Sequence, residues 1–170
     1  GFNFDGFWED IGTIRSFYTA NLALTEPDPP FNFYDQKFPI YSHPRFLPGS
    51  NIEKSTMEKV LIAEGCRIEH ATIKHSIIGL RSQIRGGTTI IDSILMGNDY
   101  YERPGSPEAS AGALEISMDC YIEGAIIDKN ARINKGTIIK PFPAGTDIDG
   151  DGWVVRDGIV IIPKSGVLPA

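Results

Sequence analysis

From residue 52 onward, large aliphatic side chains recur at Ile52, Met57, Ile62, Ile68, Ile73, Ile78, Ile84, Ile90 and Leu95. The steps are 5, 5, 6, 5, 5, 6, 6 and 5 residues, which fits neither the ~3.6-residue turn of a helix nor the alternation of a strand. Three consecutive steps sum to 16 residues between Ile52 and Ile68, between Ile68 and Ile84, and between Ile62 and Ile78. Such side chains stack on successive turns of a three-sided coil. A small residue follows the aliphatic by four places at Cys66, Ser82, Thr88, Ala131 and Thr137. Each side of the triangle is then a short strand with a large side chain inward and a small one near the narrow corner. Gly65, Gly86, Gly87 and Gly136 supply the backbone freedom that tight corners demand.

The pattern resumes at Ile116, Ile122, Ile127, Ile133 and Ile138, after the interruption MGNDYYERPGSPEASAGALE, which reads as a loop thrown out of the coil. A second insertion, KPFPAGTDIDGDGW, precedes the last apolar run, VVRDGIVIIP. An antiparallel sandwich also uses short Ile/Val/Thr strands between glycine turns, but its strands alternate and recur every ~8–12 residues. The near-constant short step favours the coil. The expected class is therefore mainly β: a left-handed parallel β-helix of hexapeptide repeats over 51–170, preceded by one α-helix and a proline-rich connector. Stacked aliphatic ladders and coil-to-coil backbone pairing would stabilise it.

Ahead of the coil, EDIGTIRSFYTANLAL at residues 9–24 carries Ile11, Ile14, Tyr18 and Leu22 at helical spacing, with Asp10 or Thr13 as the capping residue. Residues 26–50 hold six prolines among several Phe and Tyr side chains. This reads as an extended arm that docks its aromatics onto another surface.

Charge narrows the function classes. A net charge of −6 and a pI near 5.0 give no general attraction to nucleic acid or to an anionic membrane, so any anion site must be a local cluster of Lys and Arg. No run approaches the ~20 apolar residues of a membrane span, and no basic segment followed by an apolar one opens the chain. Cys66 and Cys120 stand where small inward residues are expected and read as buried free thiols in a reducing compartment.

Hexapeptide coils serve several chemistries, so the fold alone names no function. The strings FDGFWEDIGTIRSFYTANLAL, SHPRFLPGS, HSIIGLRSQI, DSILMGNDYYE, AIIDKNARIN and DGIVIIPKSGVL resemble, in the same order, the carboxy-terminal portion of ADP-glucose pyrophosphorylases of plants, algae and cyanobacteria. The resemblance covers essentially the whole chain. It implies a glucose-1-phosphate adenylyltransferase, which makes ADP-glucose and pyrophosphate from ATP and glucose 1-phosphate with Mg2+ for starch or glycogen synthesis. It further implies homo- or heterotetramers with other pyrophosphorylase subunits. Localisation would be the plastid stroma in a plant or alga and the cytoplasm in a cyanobacterium.

On this resemblance, residues 1–25 are the helical end of the nucleotidyltransferase domain, 26–50 the connector and 51–170 the regulatory and oligomerisation domain. The family's Gly-rich, Arg-containing nucleotide loop and principal catalytic Asp have no counterpart here, so the 170-residue chain alone is expected to be inactive. Asp10, in Trp8-Glu9-Asp10, matches a carboxylate ligand of the magnesium ion. Without the resemblance, Asp10 reads as a helix cap. Lys129 in IIDKNARI and Lys164 in IVIIPKSGV match the lysines that bind the activator 3-phosphoglycerate, where phosphate competes. Arg45 in HPRFLP matches an arginine at a second anion site, and Asp128 is placed to orient the Lys129 ammonium. Taken singly, such lysines would read as solvated surface charges.

Three departures from the family stand out: the acidic insertion between the two lysines, His43 where a Gln is common, and a short loop at 98–115. Two other functions compete. A hexapeptide acyltransferase would use a His, such as His70 or His75, as general base, and a β-helix binding module would have no chemistry of its own.

Overall fold

The computed structural model describes residues 1, 5–37, 39–103 and 105–168. Phe4, which heads one of the resembling strings, Phe38 in the connector and Pro104 in the first interruption lie outside them.

Successive sides of the chain coil around one apolar axis, and parallel pairing links each side to the same side one turn later. The first face stacks Ile52 on Ile68, Ile84, Ile116, Ile133 and Leu168. The second stacks Met57 on Ile73, Ile90, Ile122 and Ile139. The third stacks Ile62 on Ile78, Leu95, Ile127 and Ile162. Ile68, Ile73, Ile78, Ile84, Ile90, Ile122 and Ile162 are each 0% exposed, so the ladders form one dry core. The expected inward residue Ile138 instead faces out at 69% exposure, and its neighbour Ile139 pairs with Ile122. The step from Ile133 is therefore six residues, which keeps Thr137 buried at the corner.

The small residues fill the corners as expected. Cys66, Ser82, Thr88, Ala131 and Thr137 are all buried. Their neighbours also satisfy backbone donors of the next turn: Ser76 Oγ accepts the Ser93 N–H at 3.1 Å, and Ser93 Oγ accepts that of Ala125 at 3.2 Å. A hydroxyl at a corner thus replaces a rung of the ladder that the bend removes. Corner positions take left-handed backbone angles, and the residues there include Lys59, His75 and Asp92, stacked 16 and 17 residues apart. Gly97 is one corner where only glycine serves: its φ is +81°, and a Cβ would collide with the Leu80 carbonyl.

The helix spans Ile14–Ala23, shorter at its start than the 9–24 expected. Thr13 is the cap: its hydroxyl accepts the Ser16 N–H at 3.1 Å while Ser16 Oγ accepts the Thr13 N–H at 3.2 Å. Asp10 therefore lies outside the helix, and Ile11 is exposed. The helix docks on the outside of the third face, packing Ile14, Phe17, Tyr18 and Leu22 against Ile77, Ile94, Ile126, Ile159 and Ile161. Polar contacts fix it there: the Tyr18 hydroxyl donates to the Asp92 carbonyl at 2.5 Å, and Arg15 Nε donates to Asp157 at 2.9 Å. Among the described residues, 26–50 form no helix or strand.

Two excursions leave the coil. Residues 98–103 and 105–115 fold over the first face, where Arg132 meets Glu102 at 2.6 Å with both side chains largely buried. The second, KPFPAGTDIDGDGW, is expected to be a loop before a last coil run, but its Ile148–Asp149 pairs antiparallel with Val154–Val155, and the run itself begins as a hairpin, with Val154–Arg156 antiparallel to Ile159–Ile162. Only then does the chain rejoin the third face beside Ala125–Ile127.

Candidate functional site

Ile127 and Ile162 are register partners on the third face, so Lys129 and Lys164, each two residues farther on, stand one above the other. Their separation of 35 residues in sequence is one rung in space, because the hairpin excursion is inserted between them. The corner is closed by the Ser165 N–H donating to the Lys129 carbonyl at 2.9 Å.

A carboxylate lies between the two ammonium groups. Lys129 Nζ is 3.0 Å from Asp99 Oδ1 and Lys164 Nζ is 2.9 Å from Asp99 Oδ2. Asn130 holds Asp99 as well, donating from Nδ2 to Oδ2 at 3.1 Å and accepting the Asp99 N–H on Oδ1 at 2.8 Å. Lys164, then Lys129, hold the Asp99 carboxyl well below the usual carboxylate range. Asp99 in turn pushes the Lys164 ammonium up. All three side chains remain more than a third exposed, so these charges meet in solvent and each contact is worth little by itself.

Beside them, Arg45, Leu80, Arg81, Asn98, Asp99 and Lys129 line a cleft of about 220 Å³. Arg81 donates to the Asn98 carbonyl at 3.2 Å and lies over the Tyr101 ring at 5.9 Å, and Asn98 Nδ2 donates to the Arg81 carbonyl at 3.1 Å. The arrangement offers guanidinium and ammonium groups around a small opening, which is the chemistry of an anion site.

Lys129, Lys164 and Arg45 are thus brought to one edge of the coil. Asp128 is adjacent but acts differently from the orienting role expected of it: its Oδ1 accepts the Lys129 backbone N–H at 2.6 Å, and Asp99 engages the ammonium. Asp10 does not line this cleft; its Oδ1 accepts the Gly12 N–H at 3.0 Å. Among the described residues no group of three or more His, Cys, Asp and Glu side chains is placed to hold a metal ion.

Asp99, Asn130 and Arg81 escaped the sequence reading. The available signal was Asn98-Asp99 at the point where the chain leaves the coil, together with Asn130 one residue after Lys129, at a corner where φ is +62° and Asn is favoured.

Of the two coil histidines, His70 approaches Glu53 no closer than 4.0 Å, whereas His75 has close structural partners. His75 Nδ1 lies 2.5 Å from Asp92, and its Nε2 lies 3.4 Å from Glu26, which also meets Lys59 at 2.8 Å. This group joins the end of the helix to a corner column of the coil. Both ring nitrogens are engaged by carboxylates.

Similarity to known proteins agrees with this architecture. Over 174 aligned residues the chain is 42% identical to the small subunit of glucose-1-phosphate adenylyltransferase, chloroplastic/amyloplastic, of Triticum aestivum; 98% of this chain is covered but only 37% of that protein. The chain therefore spans little more than a third of the length of this relative. A family model described as the GLGC left-handed parallel beta-helix domain matches residues 45–170. With its three stacked faces, its hexapeptide step and this match over most of its length, the chain belongs to the GLGC left-handed parallel β-helix family.

Proposed function

We propose that this chain is the carboxy-terminal regulatory and assembly part of an ADP-glucose pyrophosphorylase, and that Lys129 and Lys164 form its effector site for 3-phosphoglycerate and phosphate. The complete subunit would make ADP-glucose and pyrophosphate from ATP and glucose 1-phosphate. The observation that carries the site is the convergence of the two ammonium groups, on adjacent rungs, upon a single carboxylate. A carboxylate held in that way marks a position suited to the phosphate or carboxylate of a small anion. Arg45 and Arg81 at the neighbouring cleft add positive charge for the rest of such a ligand.

Magnesium belongs to the proposed reaction of the complete subunit. Among the described residues no three His, Cys, Asp and Glu side chains converge to hold an ion, and Asp10 would supply one carboxylate ligand to a hard ion that keeps several waters. Partner subunits in a homo- or heterotetramer complete the proposal, with a plastid location if the source is a plant or alga.

Lys129→Ala or Lys164→Ala in the complete tetramer tests the effector site. Each lysine contributes a charge-assisted hydrogen bond of about 1.5–3 kcal/mol, so either change should raise the activator concentration required by about ten- to a hundredfold. Phosphate inhibition should be blunted in parallel, with unactivated turnover unchanged. Wild-type activator and phosphate curves in both variants would end the proposal.

A further inference from the structure

The two lysines assigned to an anionic effector already hold an anion of the protein's own. We propose that Asp99 is a built-in competitor at this site: its carboxylate occupies the place of an incoming phosphate or carboxylate, and effector binding displaces it. This rests on the reading of Lys129 and Lys164 as an anion site.

The geometry is that of a bound ligand. One carboxylate oxygen faces each ammonium, at 3.0 and 2.9 Å, and Asn130 contacts the carboxylate from a third direction at 3.1 Å. The neighbouring backbone belongs to the coil: the Asn98 N–H donates to the Leu80 carbonyl at 2.7 Å and the Asn130 N–H to that of Gly97 at 3.1 Å. Asp99 itself is the first residue released from that ladder, and its N–H donates to the Asn130 side chain. Beyond it the excursion is pinned again, by the Tyr101 hydroxyl on the Gly65 carbonyl at 2.8 Å and by Glu102 on Arg132 at 2.6 Å. Asp99 is therefore a side-chain latch between two fixed points, free to release without unmaking a rung.

The cleft next to it gives the displacing anion a way in. At about 220 Å³, lined by Arg45, Arg81 and Lys129, it is smaller than the ~300–1,000 Å³ typical of sites for drug-sized ligands and fits a small phosphorylated acid or free phosphate. A tethered carboxylate acts at an effective concentration of order millimolar or more, so it weakens the apparent affinity of any free anion. It also carries the binding event into residues 98–115, because the latch is where that excursion begins.

Phosphate titration by calorimetry of the complete subunit at fixed ionic strength tests this. In Asp99→Asn and Asp99→Ala the phosphate dissociation constant should fall at least tenfold below wild type, whereas Asp99→Glu, which keeps a charge on a tether, should stay near it. Adding Lys129→Ala to Asp99→Asn should abolish the gain. If phosphate binding stays dependent on Lys129 but is unchanged or weaker in both uncharged Asp99 variants, Asp99 only positions the lysines and the competitor proposal is overturned. If binding depends on neither Lys129 nor Lys164 in any of these backgrounds, the anion-site reading falls and takes the proposal with it. Circular dichroism melts of each variant separate both results from misfolding.

Discussion

Lys129 and Lys164 are half-exposed lysines, distinguished by what stands between them. Their sequence context pointed to them only through family resemblance. Asp99 was invisible because nothing local ties it to residues 30 and 65 positions farther along. Register places the lysines together and an excursion brings in the carboxylate, and neither can be read from a window of the chain. Asp10 shows the opposite case. Its local reading as a helix cap gave way because Thr13 and Ser16 form a reciprocal capping box one turn later. If Asp10 is a magnesium ligand in the complete enzyme, Asp10→Asn should lower turnover and raise the magnesium concentration needed for half-maximal rate, without changing the melting curve. An unaltered magnesium titration would leave it with its Gly12 hydrogen bond alone.

Among the described residues the Arg132–Glu102 pair is the ion pair most withdrawn from water, with side chains 6% and 15% exposed. Arg132 holds the Glu102 carboxyl below its ordinary value. A depressed carboxylate contributes stability that is present above its unfolded pKa of about 4.3 and is lost as the pH falls through the folded value. Glu102 also accepts the Leu114 N–H at 3.0 Å. Glu102→Gln should therefore speed hydrogen exchange at Leu114 and across 98–115 by about tenfold or more, the consequence of ~1.5–3 kcal/mol lost from a charged hydrogen bond. In the wild type, protection corrected for intrinsic rates should drop on acidification below about pH 4, and in the variant it should not. Equal protection in both proteins at neutral pH would contradict the assigned anchor.

At the scale of elements, the inward ladders were legible because their step is unlike that of any other fold class. The corner residues followed from the same count. The outward side of the third face was not deduced, although its signal was present: Ile77-Ile78, Ile94-Leu95, Ile126-Ile127 and Ile161-Ile162 are doublets, one member facing in and one out. A strand apolar on both sides is covered on both sides, and the cover is the helix. The misplaced Ile138 has the same origin, since in the pair Ile138-Ile139 the coil's step varies between five and six and either member fits the pattern. The hairpin of Val154–Arg156 with Ile159–Ile162 was hidden for a third reason, that VVRDGIVIIP looks like one apolar run but turns back on itself at Asp157-Gly158.

Helix docking rests mainly on Leu22, the one helix residue that is fully buried, at 4% exposure. Leu22→Ala removes that packing at a cost of about 2–5 kcal/mol. The helix should loosen while the coil persists, because the ladders do not pass through it. Limited proteolysis should then cut faster between residues 26 and 50 without fragmenting 51–168. Cleavage at the wild-type rate would show that the ion pairs of Arg15 and Glu26 suffice to hold the helix.

For the molecule as a whole, an overall charge of −6 makes the cluster of Arg45, Arg81, Lys129 and Lys164 a local exception, so the proposed anion site would act by position more than by bulk attraction. The parallel coil creates that exception. It brings together residues from four stretches of sequence at one edge, and its excursions supply both the spacing between the lysines and the carboxylate between them. The central claim is that Lys129 and Lys164 act on one anion. A double-mutant cycle on 3-phosphoglycerate binding to the complete subunit measures this directly, using Lys129→Ala, Lys164→Ala and the pair together. Two groups holding one ligand should show coupling of about 0.5–3 kcal/mol, with the double variant little weaker than either single one. Strictly additive losses, or no loss from either change, would contradict a shared site.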